Sequence, residues 1–223
     1  MCTNCFSFIS FTTTPRCLVC GNPCLDGFTH PACQGKYRID GCFSGVCYKG
    51  VVKKLLYTFK YKPYLSSLTE FLGGLLHESL IQNETYIRLC EAYEPIFVPI
   101  PLSSRKLRER GYNQAELLAR ELAQVENGKV QSVLVRMLQT KPQYGLSREE
   151  RMENIKGAFS YRHSGKQSAS RINGRSWTSQ DDSSKIAFLV DDVVTTGSTL
   201  MEAANVLKRN GFTKVWGVTL AQD

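Results

Sequence analysis

The sequence predicts an α/β protein in which a parallel sheet is flanked by helices and preceded by a small cysteine-rich module. Two observations lead to this fold class. From residue 46 onward, short apolar runs typical of strands alternate with longer runs whose apolar residues recur at helical spacing, which favours parallel βαβ units. Before that point, the chain holds most of its nine cysteines. We therefore expect a module over residues 1–45 and an α/β domain over residues 46–223.

The cysteine-rich module contains ligand spacings typical of a zinc site. Two residues separate Cys17 from Cys20, and His30 and Cys33 repeat that spacing, which allows each pair to bind one tetrahedral ion. Four sulfur and imidazole ligands with no open position indicate structural zinc, whose binding free energy also stabilises the folded segment. Other ligand sets stay open, because the module and its border also contain Cys2, Cys5, Cys24, Cys42 and Cys47.

Strands and helices are predicted in alternation after the module. Apolar runs predict strands at residues 46–48, 96–100 and 133–138. Apolar residues at helical spacing predict helices at residues 51–59, 65–80 and 115–125. Serine and basic residues then predict an irregular surface loop at residues 162–185, and a last apolar run predicts a strand at residues 214–219.

A basic segment follows the strand at residues 96–100. It contains Arg105, Lys106 and Arg110, and Gly111 then permits a tight turn before the next helix. Guanidinium groups bind phosphate oxygens bidentately and stay charged, so this segment suits a pyrophosphate. The alternative is an exposed helix start in which Arg105 pairs with the acid four residues later.

The most informative stretch is a buried strand followed by two acids and a hydroxyl-rich loop. Residues 186–190 are all apolar, which is typical of a central parallel strand buried on both faces. Asp191 and Asp192 come next, at the edge where open α/β sheets bind ligands, and carboxylates accept hydrogen bonds strongly from sugar hydroxyls. The stretch therefore predicts a site for a phosphorylated sugar.

The loop at residues 195–199 supplies hydroxyls and, through Gly197, backbone amides that can surround a small anion. Apolar residues at helical spacing follow it, so the positive end of a helix also favours a phosphate there. The alternative is that Ser198 or Thr199 only caps that helix after a solvated turn. A Walker-type phosphate loop is excluded, because the segment contains no lysine.

These residues resemble the phosphoribosyl pyrophosphate (PRPP) signature of type I phosphoribosyltransferases, a family with a twisted parallel sheet flanked by helices. A wider set of motifs is similar to the ComF/GntX family, which joins a zinc-binding N-terminus to such a domain and is associated with competence for DNA uptake. The resemblance covers about residues 15–220. It is carried by Pro99-Ile100-Pro101, the segment at residues 105–114, Gln143, Leu146-Ser147-Arg148, Arg151, Asn154 and Gly157-Ala158-Phe159.

The resemblance implies a site that binds PRPP together with Mg²⁺ and transfers the phosphoribosyl group to a nitrogen acceptor. It implies catalytic roles for Asp191, Asp192 and Arg110. The PRPP-binding residues that it implies are Asp191, Asp192, Val193, Val194, Thr195, Thr196, Gly197, Ser198, Thr199, Arg105, Lys106, Arg110, Lys141 and Arg148.

Residues 139–148 lack periodicity and contain a proline and a glycine, so they predict a mobile loop. In type I transferases a flexible loop at this point closes over the reacting centre, which implies that Lys141, Arg148 and Arg151 reach the diphosphate. The alternative is that Ser147 only caps a helix that begins at Arg148, in a capping box with an acid three residues later.

Composition narrows the class of protein. The formal charge of +8 favours anionic partners, either phosphorylated metabolites or nucleic acid. No apolar stretch approaches the roughly 20 residues that cross a bilayer, and the first residues lack the features of a secretory signal, so we expect a cytoplasmic protein.

The sequence therefore predicts a zinc-stabilised phosphoribosyltransferase, and a second hypothesis comes from a different class. In that alternative the chain is a non-catalytic competence factor that binds single-stranded DNA, and the PRPP pocket is a sensor or a vestige. Aromatic residues of the module would then stack on bases, and the candidates are Phe6, Phe8, Phe11, Phe28 and Tyr37; core packing is the alternative role of these side chains. The acceptor, turnover and oligomeric state are not specified by any motif.

Overall fold

The structure, a computed structural model, describes residues 6–12, 14–61, 66–138, 147–162 and 185–223. Its helices are α1 (Gly50–Tyr61), α2 (Ser66–Leu80), α3 (Glu84–Ala92), α4 (Ser104–Arg110), α5 (Gln114–Val125), α6 (Arg148–Ile155) and α7 (Ser198–Arg209). Its strands are β1 (Gly41–Cys47), β2 (Glu94–Pro99), β3 (Lys129–Val130), β4 (Leu134–Arg136), β5 (Phe159–Tyr161), β6 (Lys185–Val194) and β7 (Val215–Gln222).

Five strands form one parallel sheet in the order β1-β7-β6-β2-β3, which confirms the predicted α/β class. Strand β6 is central, and its side chains alternate between two apolar clusters. Phe188 and Val190 join the cluster formed with α1, α2, α3 and α5, whereas Ala187 and Leu189 join the cluster formed with α6 and α7. Helices therefore cover both faces, which explains why β6 carries an unbroken apolar run.

Two boundaries and one helix differ from the sequence prediction. Strand β1 begins at Gly41 rather than at residue 46, so the predicted boundary between module and domain falls inside a strand of the main sheet. Strand β6 continues through both aspartates to Val194, where Asp191 still pairs with Thr219 of β7. Helix α3 was not predicted, although Asn83 precedes it and accepts a hydrogen bond from the backbone N–H of Tyr86.

The strand predicted at residues 133–138 is corrected by the structure. Only Leu134–Arg136 is extended, and this β4 pairs antiparallel with β5 in a separate two-stranded ribbon. The outer position of the main sheet is taken by the two residues of β3 instead. A short apolar run indicates burial but specifies neither its partner nor its direction, so the βαβ interpretation was wrong at this element.

Most of the two loops predicted at residues 139–148 and 162–185 lies outside the described residues, which omit 139–146 and 163–184. The predicted capping box is confirmed at the start of α6, where Ser147 accepts from the N–H of Glu150 and the Glu150 carboxylate accepts from the N–H of Ser147. Within the described residues, no helix is both long and apolar enough to cross a membrane.

Candidate functional site

The two aspartates lie at the carboxyl end of β6, in the middle of the sheet edge. Asp192 forms an ion pair with Lys60 at the end of α1, with Nζ and Oδ2 2.8 Å apart, and the side chains of Asp192 and Lys60 are only 13% and 20% exposed. The Asp191 carboxylate accepts a hydrogen bond from the backbone N–H of Asp192 at 2.8 Å. Both acids are therefore partly buried and held in place, unlike acids in a solvated turn.

Burial and the neighbouring Asp192 carboxylate raise the pKa of Asp191 to about 7. The hydrogen bond from the Asp192 backbone, together with Lys60 and Arg136, opposes this rise but does not cancel it. In the ion pair of Lys60 with Asp192, burial acts to lower the pKa of the lysine. The Asp192 carboxylate outweighs this effect, so the pKa of Lys60 is raised. The pair of acids is thus only partly neutralised by Lys60.

The phosphate loop, which we define as residues 195–199, connects β6 to α7. Gly197 is the N-cap of α7 with a φ of 73°, a left-handed conformation that favours glycine. No side chain caps this helix, so the alternative role of Ser198 or Thr199 as a simple cap is wrong. The N-cap residue therefore supplies no side-chain hydrogen bond to the first turn of α7, whose amides lie at the positive end of a 12-residue helix.

A cavity of about 800 Å³ opens between the aspartates, the phosphate loop and the ends of α1, α4 and β4. It is wide enough for a small phosphorylated ligand. Six of its lining side chains are basic, namely Lys53, Lys60, Lys106, Arg110, Arg136 and Arg151. Burial, followed by repulsion from neighbouring cations, lowers the pKa of Lys106. Such crowding of positive charge favours an anionic ligand.

The residues between α4 and α5 hold the wall of this cavity together. Tyr112 Oη and Gln114 Nε2 both donate to the carbonyl oxygen of Phe59 near the end of α1, at 2.8 and 3.2 Å. Gln114 Oε1 also accepts from Arg110 Nη1 at 3.0 Å, and the Arg110 guanidinium lies over the ring of Tyr61 at 5.2 Å. These contacts join the end of α1, which carries Lys60, to the segment that carries Arg110.

The structure separates the basic residues that the sequence grouped together. Lys106 and Arg110 lie one turn apart on the cavity face of α4. Arg105 does not line the cavity: it is exposed and pairs with Glu109, with Nε and Oε1 2.8 Å apart. The exposed ion pair that was considered as the alternative role of this basic segment is therefore found at Arg105 alone.

Of two further predicted residues, Arg148 lies elsewhere and Lys141 is outside the described residues. Arg148 does not line the main cavity, because its Nη2 donates to the carbonyl oxygens of Leu18 and Val19 at 2.5 and 2.9 Å. It lines a second cavity of about 270 Å³ that Thr195 and Thr196 also border.

The sequence analysis missed three basic residues of the cavity. Lys53 and Lys60 lie seven residues apart, hence on one face of α1, and this spacing within a predicted helix was the available signal. Arg136 ends β4, whose position depends on the antiparallel ribbon, so no local pattern could have identified it.

The predicted zinc ligands form the one cluster suited to a metal within the described part of the chain. The ligand atoms of Cys17, Cys20, His30 and Cys33 all lie within 4.8 Å of one another. Burial opposes ionisation of the Cys17 thiol, but hydrogen bonds from backbone amides outweigh it and lower its pKa to about 7. Three sulfurs and one imidazole in a closed group fit a structural Zn²⁺ ion.

The orientation of His30 also fits metal binding. Its Nδ1 faces the cluster, 3.2 Å from Cys20 Sγ, while its Nε2 lies 3.0 Å from the carbonyl oxygen of Pro23. A ring N–H that donates to a carbonyl fixes the tautomer and leaves the other nitrogen available to the metal. The alternative ligands Cys24 and Cys42 are not part of the cluster, and burial raises the pKa of Cys42 to about 12.

Comparison with known proteins gives three informative relatives, and no family model matches the chain. The chain is 35% identical to Competence protein F of Haemophilus influenzae over 127 residues, which are 56% of this chain and 49% of that protein. It is 36% identical to the DNA utilization protein YhgH of Escherichia coli over 115 residues, 51% of this chain and 43% of that protein.

A third relative is aligned over nearly the whole chain. Competence protein ComFC of Bacillus subtilis is 25% identical over 221 residues, 95% of this chain and 79% of that protein. The alignments with the first two relatives cover less than half of each of those proteins.

Proposed function

Because the chain belongs to the ComF family of competence-associated proteins, we propose that its main cavity binds PRPP with Mg²⁺ and transfers the phosphoribosyl group to a nitrogen acceptor. The family is related to phosphoribosyltransferases in general. The relatives are named for competence and DNA utilization, which supports a role of this chain in DNA uptake or use.

The observation that carries the proposal is that three groups of residues, each suited to a different part of PRPP, surround one cavity. Asp191 and Asp192 offer oxygens to the ribose hydroxyls. The phosphate loop offers the amides at the start of α7 to the 5′-phosphate. Lys106 and Arg110 lie on the cavity face of α4, where they suit the diphosphate.

The acids also suit a bound cation. Carboxylate oxygens are the ligands that Mg²⁺ prefers, and the raised pKa of Asp191 indicates that the pair can accept positive charge beyond that of Lys60. When bound, Mg²⁺ supplies positive charge that neutralises the diphosphate. The residues that would hold it near the ribose are Asp191 and Asp192.

In the proposed reaction, the lone pair of the acceptor nitrogen forms a bond to the anomeric carbon. The bond from that carbon to the diphosphate oxygen breaks, and its electron pair leaves with the pyrophosphate. Arg110 and Lys106 stabilise the negative charge that develops on the leaving group. The acceptor nitrogen loses a proton, and the carboxylates of Asp191 and Asp192 line the cavity as candidate proton acceptors.

The test is pyrophosphate release from PRPP with Mg²⁺ across a panel of nitrogen acceptors. Arg110→Ala should lower release by roughly 10²–10³-fold while weakening PRPP binding much less, because leaving-group charge develops mainly in the transition state. Arg120→Ala is the matched control, since that arginine is exposed and pairs with Glu116 on α5. No release by the wild-type protein with any acceptor would contradict the transferase.

A second candidate function, binding of single-stranded DNA, is favoured by the outer face of α1. The rings of Tyr57 and Tyr61 lie 4.9 Å apart and are 60% and 61% exposed. Lys54, three residues before Tyr57 and hence on the same side of α1, is also exposed. Exposed aromatic rings beside basic groups suit bases and phosphates of a single strand.

This candidate is tested by titrating a labelled oligothymidylate at several salt concentrations. Each stacked base contributes about 1–3 kcal/mol, so Tyr57→Ala with Tyr61→Ala should weaken binding by at least about tenfold. Phe8→Ala is the control, because Phe8 is 71% exposed on the N-terminal segment that sequence analysis favoured as a stacking surface. Equal losses in both variants would contradict an assignment to α1.

A further inference from the structure

The loop between the first two metal ligands contacts the phosphate loop. We call residues 17–20 the metal loop. Its Leu18, only 7% exposed, lies against Gly197: a Cβ atom at that glycine would lie 2.8–3.1 Å from three Leu18 side-chain atoms. Gly197 therefore provides both the left-handed turn of the phosphate loop and the space that Leu18 occupies.

Helix α6 joins the same two loops a second time. Arg148 in its first turn donates to the carbonyl oxygens of Leu18 and Val19 in the metal loop. Arg151, three residues later and on the same face, donates through Nη1 to Thr195 Oγ1 of the phosphate loop at 2.7 Å. The capping box at Ser147 fixes the start of this helix, so the two arginines act as one rigid bridge.

We propose that the metal loop positions the phosphate loop, so that metal binding at the cysteine cluster and phosphate binding at residues 195–199 stabilise each other. Leu18 and Arg148 are the positioning residues. The phosphate half of this statement rests on the proposed function. The contacts between the two loops do not depend on the proposed function.

The physical reason is that the metal loop has little support of its own. Within residues 14–40, the buried apolar side chains are Cys17, Leu18 and Ile39. Two of the four metal ligands flank Leu18, so a bound ion fixes the backbone on both sides of it. Without the ion, Leu18 is free to leave Gly197, and the carbonyl oxygens that hold Arg148 move with it.

Coupling between two sites is reciprocal. If zinc raises the affinity for a ligand of the phosphate loop by some factor, that ligand raises the affinity for zinc by the same factor. Coupling of this kind typically amounts to about 5–150-fold. The coupling can therefore be measured in either direction, and the contact between the two loops can be tested separately without a phosphoribosyl ligand.

The first experiment compares hydrogen exchange of the zinc-loaded and the metal-free full chain. Amides of residues 195–200 should exchange faster in the metal-free protein, while amides of β6 stay protected. Unchanged exchange in residues 195–200 would overturn the proposal. If β6 also loses protection, the zinc-loaded Leu18→Ala variant decides by the same criterion, because it keeps all four ligands.

The second experiment measures zinc content and PRPP affinity with Mg²⁺ for Leu18→Ala and for a matched control, Val19→Ala. Val19 lies between the same ligands but lines a different groove, with Met152 and Met201. Leu18→Ala should retain one zinc ion and bind PRPP about 5–150-fold more weakly, whereas Val19→Ala should bind it as the wild type does. Equal affinities in the two variants would overturn the coupling.

Competition for zinc with a chromophoric chelator, at constant Mg²⁺, gives the reciprocal measurement. PRPP should raise the zinc affinity of the wild type and should do so much less in Leu18→Ala. A wild-type protein that does not bind PRPP would contradict the proposed function. The exchange experiment would then decide the contact between the loops without it.

Discussion

The sheet and the metal-binding segment are stabilised in different ways. In the centre of the sheet, Phe188, Leu189 and Val190 are fully buried between helices on both faces. In residues 14–40, buried apolar side chains are few and four metal ligands converge instead. The sheet is therefore stabilised by hydrophobic burial, whereas the segment has few buried side chains and a set of ligands that could hold a structural zinc ion. The two regions meet at the phosphate loop.

Removal of zinc is the largest perturbation of this comparison. We expect one zinc ion per chain by elemental analysis. Cys20→Ser should expose residues 14–40 to protease, because zinc binding contributes roughly 10–16 kcal/mol in finger peptides. The sheet should stay folded, as judged by circular dichroism. Protein that is folded, protease-resistant and metal-free would show that the segment does not depend on metal.

A cavity created in the sheet should instead destabilise the sheet and leave zinc bound. Phe188 packs against Phe97 and Tyr86, with ring centroids 5.6 and 5.3 Å apart. Phe188→Ala should lower the free energy of unfolding by about 3–5 kcal/mol in denaturant titrations, with zinc still bound before the transition.

Phe188→Leu serves as the smaller truncation in this experiment and should be less destabilising. Loss of zinc from Phe188→Ala under native conditions would mean that the sheet and the metal-binding segment unfold together. The comparison between them would then fail.

The pH dependence of stability tests the buried acid at the edge of the sheet. The pKa of Asp191 is raised from 3.8 to about 7, so the folded protein binds a proton that the unfolded chain releases. Because of Asp191, the free energy of unfolding therefore falls as pH rises from about 4 to about 7. Asp191→Asn should reduce that loss, measured as the difference between variant and wild type at each pH.

Glu116→Gln, an exposed acid paired with Arg120, is the control for the change of charge. Parallel stability curves for the wild type and Asp191→Asn between pH 4 and 7 would contradict the raised pKa.

The smallest predicted effect concerns helix α6, whose arginines connect the metal loop to the phosphate loop. Ser147→Ala removes the cap of α6 and should lower the free energy of unfolding by about 1 kcal/mol. Ser147→Thr keeps a capping hydroxyl and should lose less. A Ser147→Ala variant as stable as the wild type would indicate that the capping box does not stabilise the start of α6.

The sequence predicted best what is contiguous in the chain. The strand, the two acids, the phosphate loop and the helix after them follow one another without interruption, so one local pattern contained the whole centre of the cavity. The metal cluster was predicted for a similar reason, because Cys17 with Cys20 and His30 with Cys33 are two local pairs.

The sequence predicted least well what depends on tertiary contacts. Lys60 reaches Asp192 from α1, whose end is packed on the core and hydrogen-bonded by Tyr112 and Gln114. Arg148 was expected at the diphosphate, yet its hydrogen bonds to the metal loop depend on two segments 130 residues apart. Such contacts leave no spacing signal in the chain.

The most direct test of the account is a calorimetric titration of the zinc-loaded protein with PRPP in the presence and absence of Mg²⁺. We expect binding that requires Mg²⁺ and is abolished by Asp191→Asn combined with Asp192→Asn. The control is Glu84→Gln with Glu116→Gln, which removes two acids from ion pairs on α3 and α5 and should leave binding intact. Unchanged affinity in the double aspartate variant, or no binding by the wild type, would contradict the assignment of this cavity.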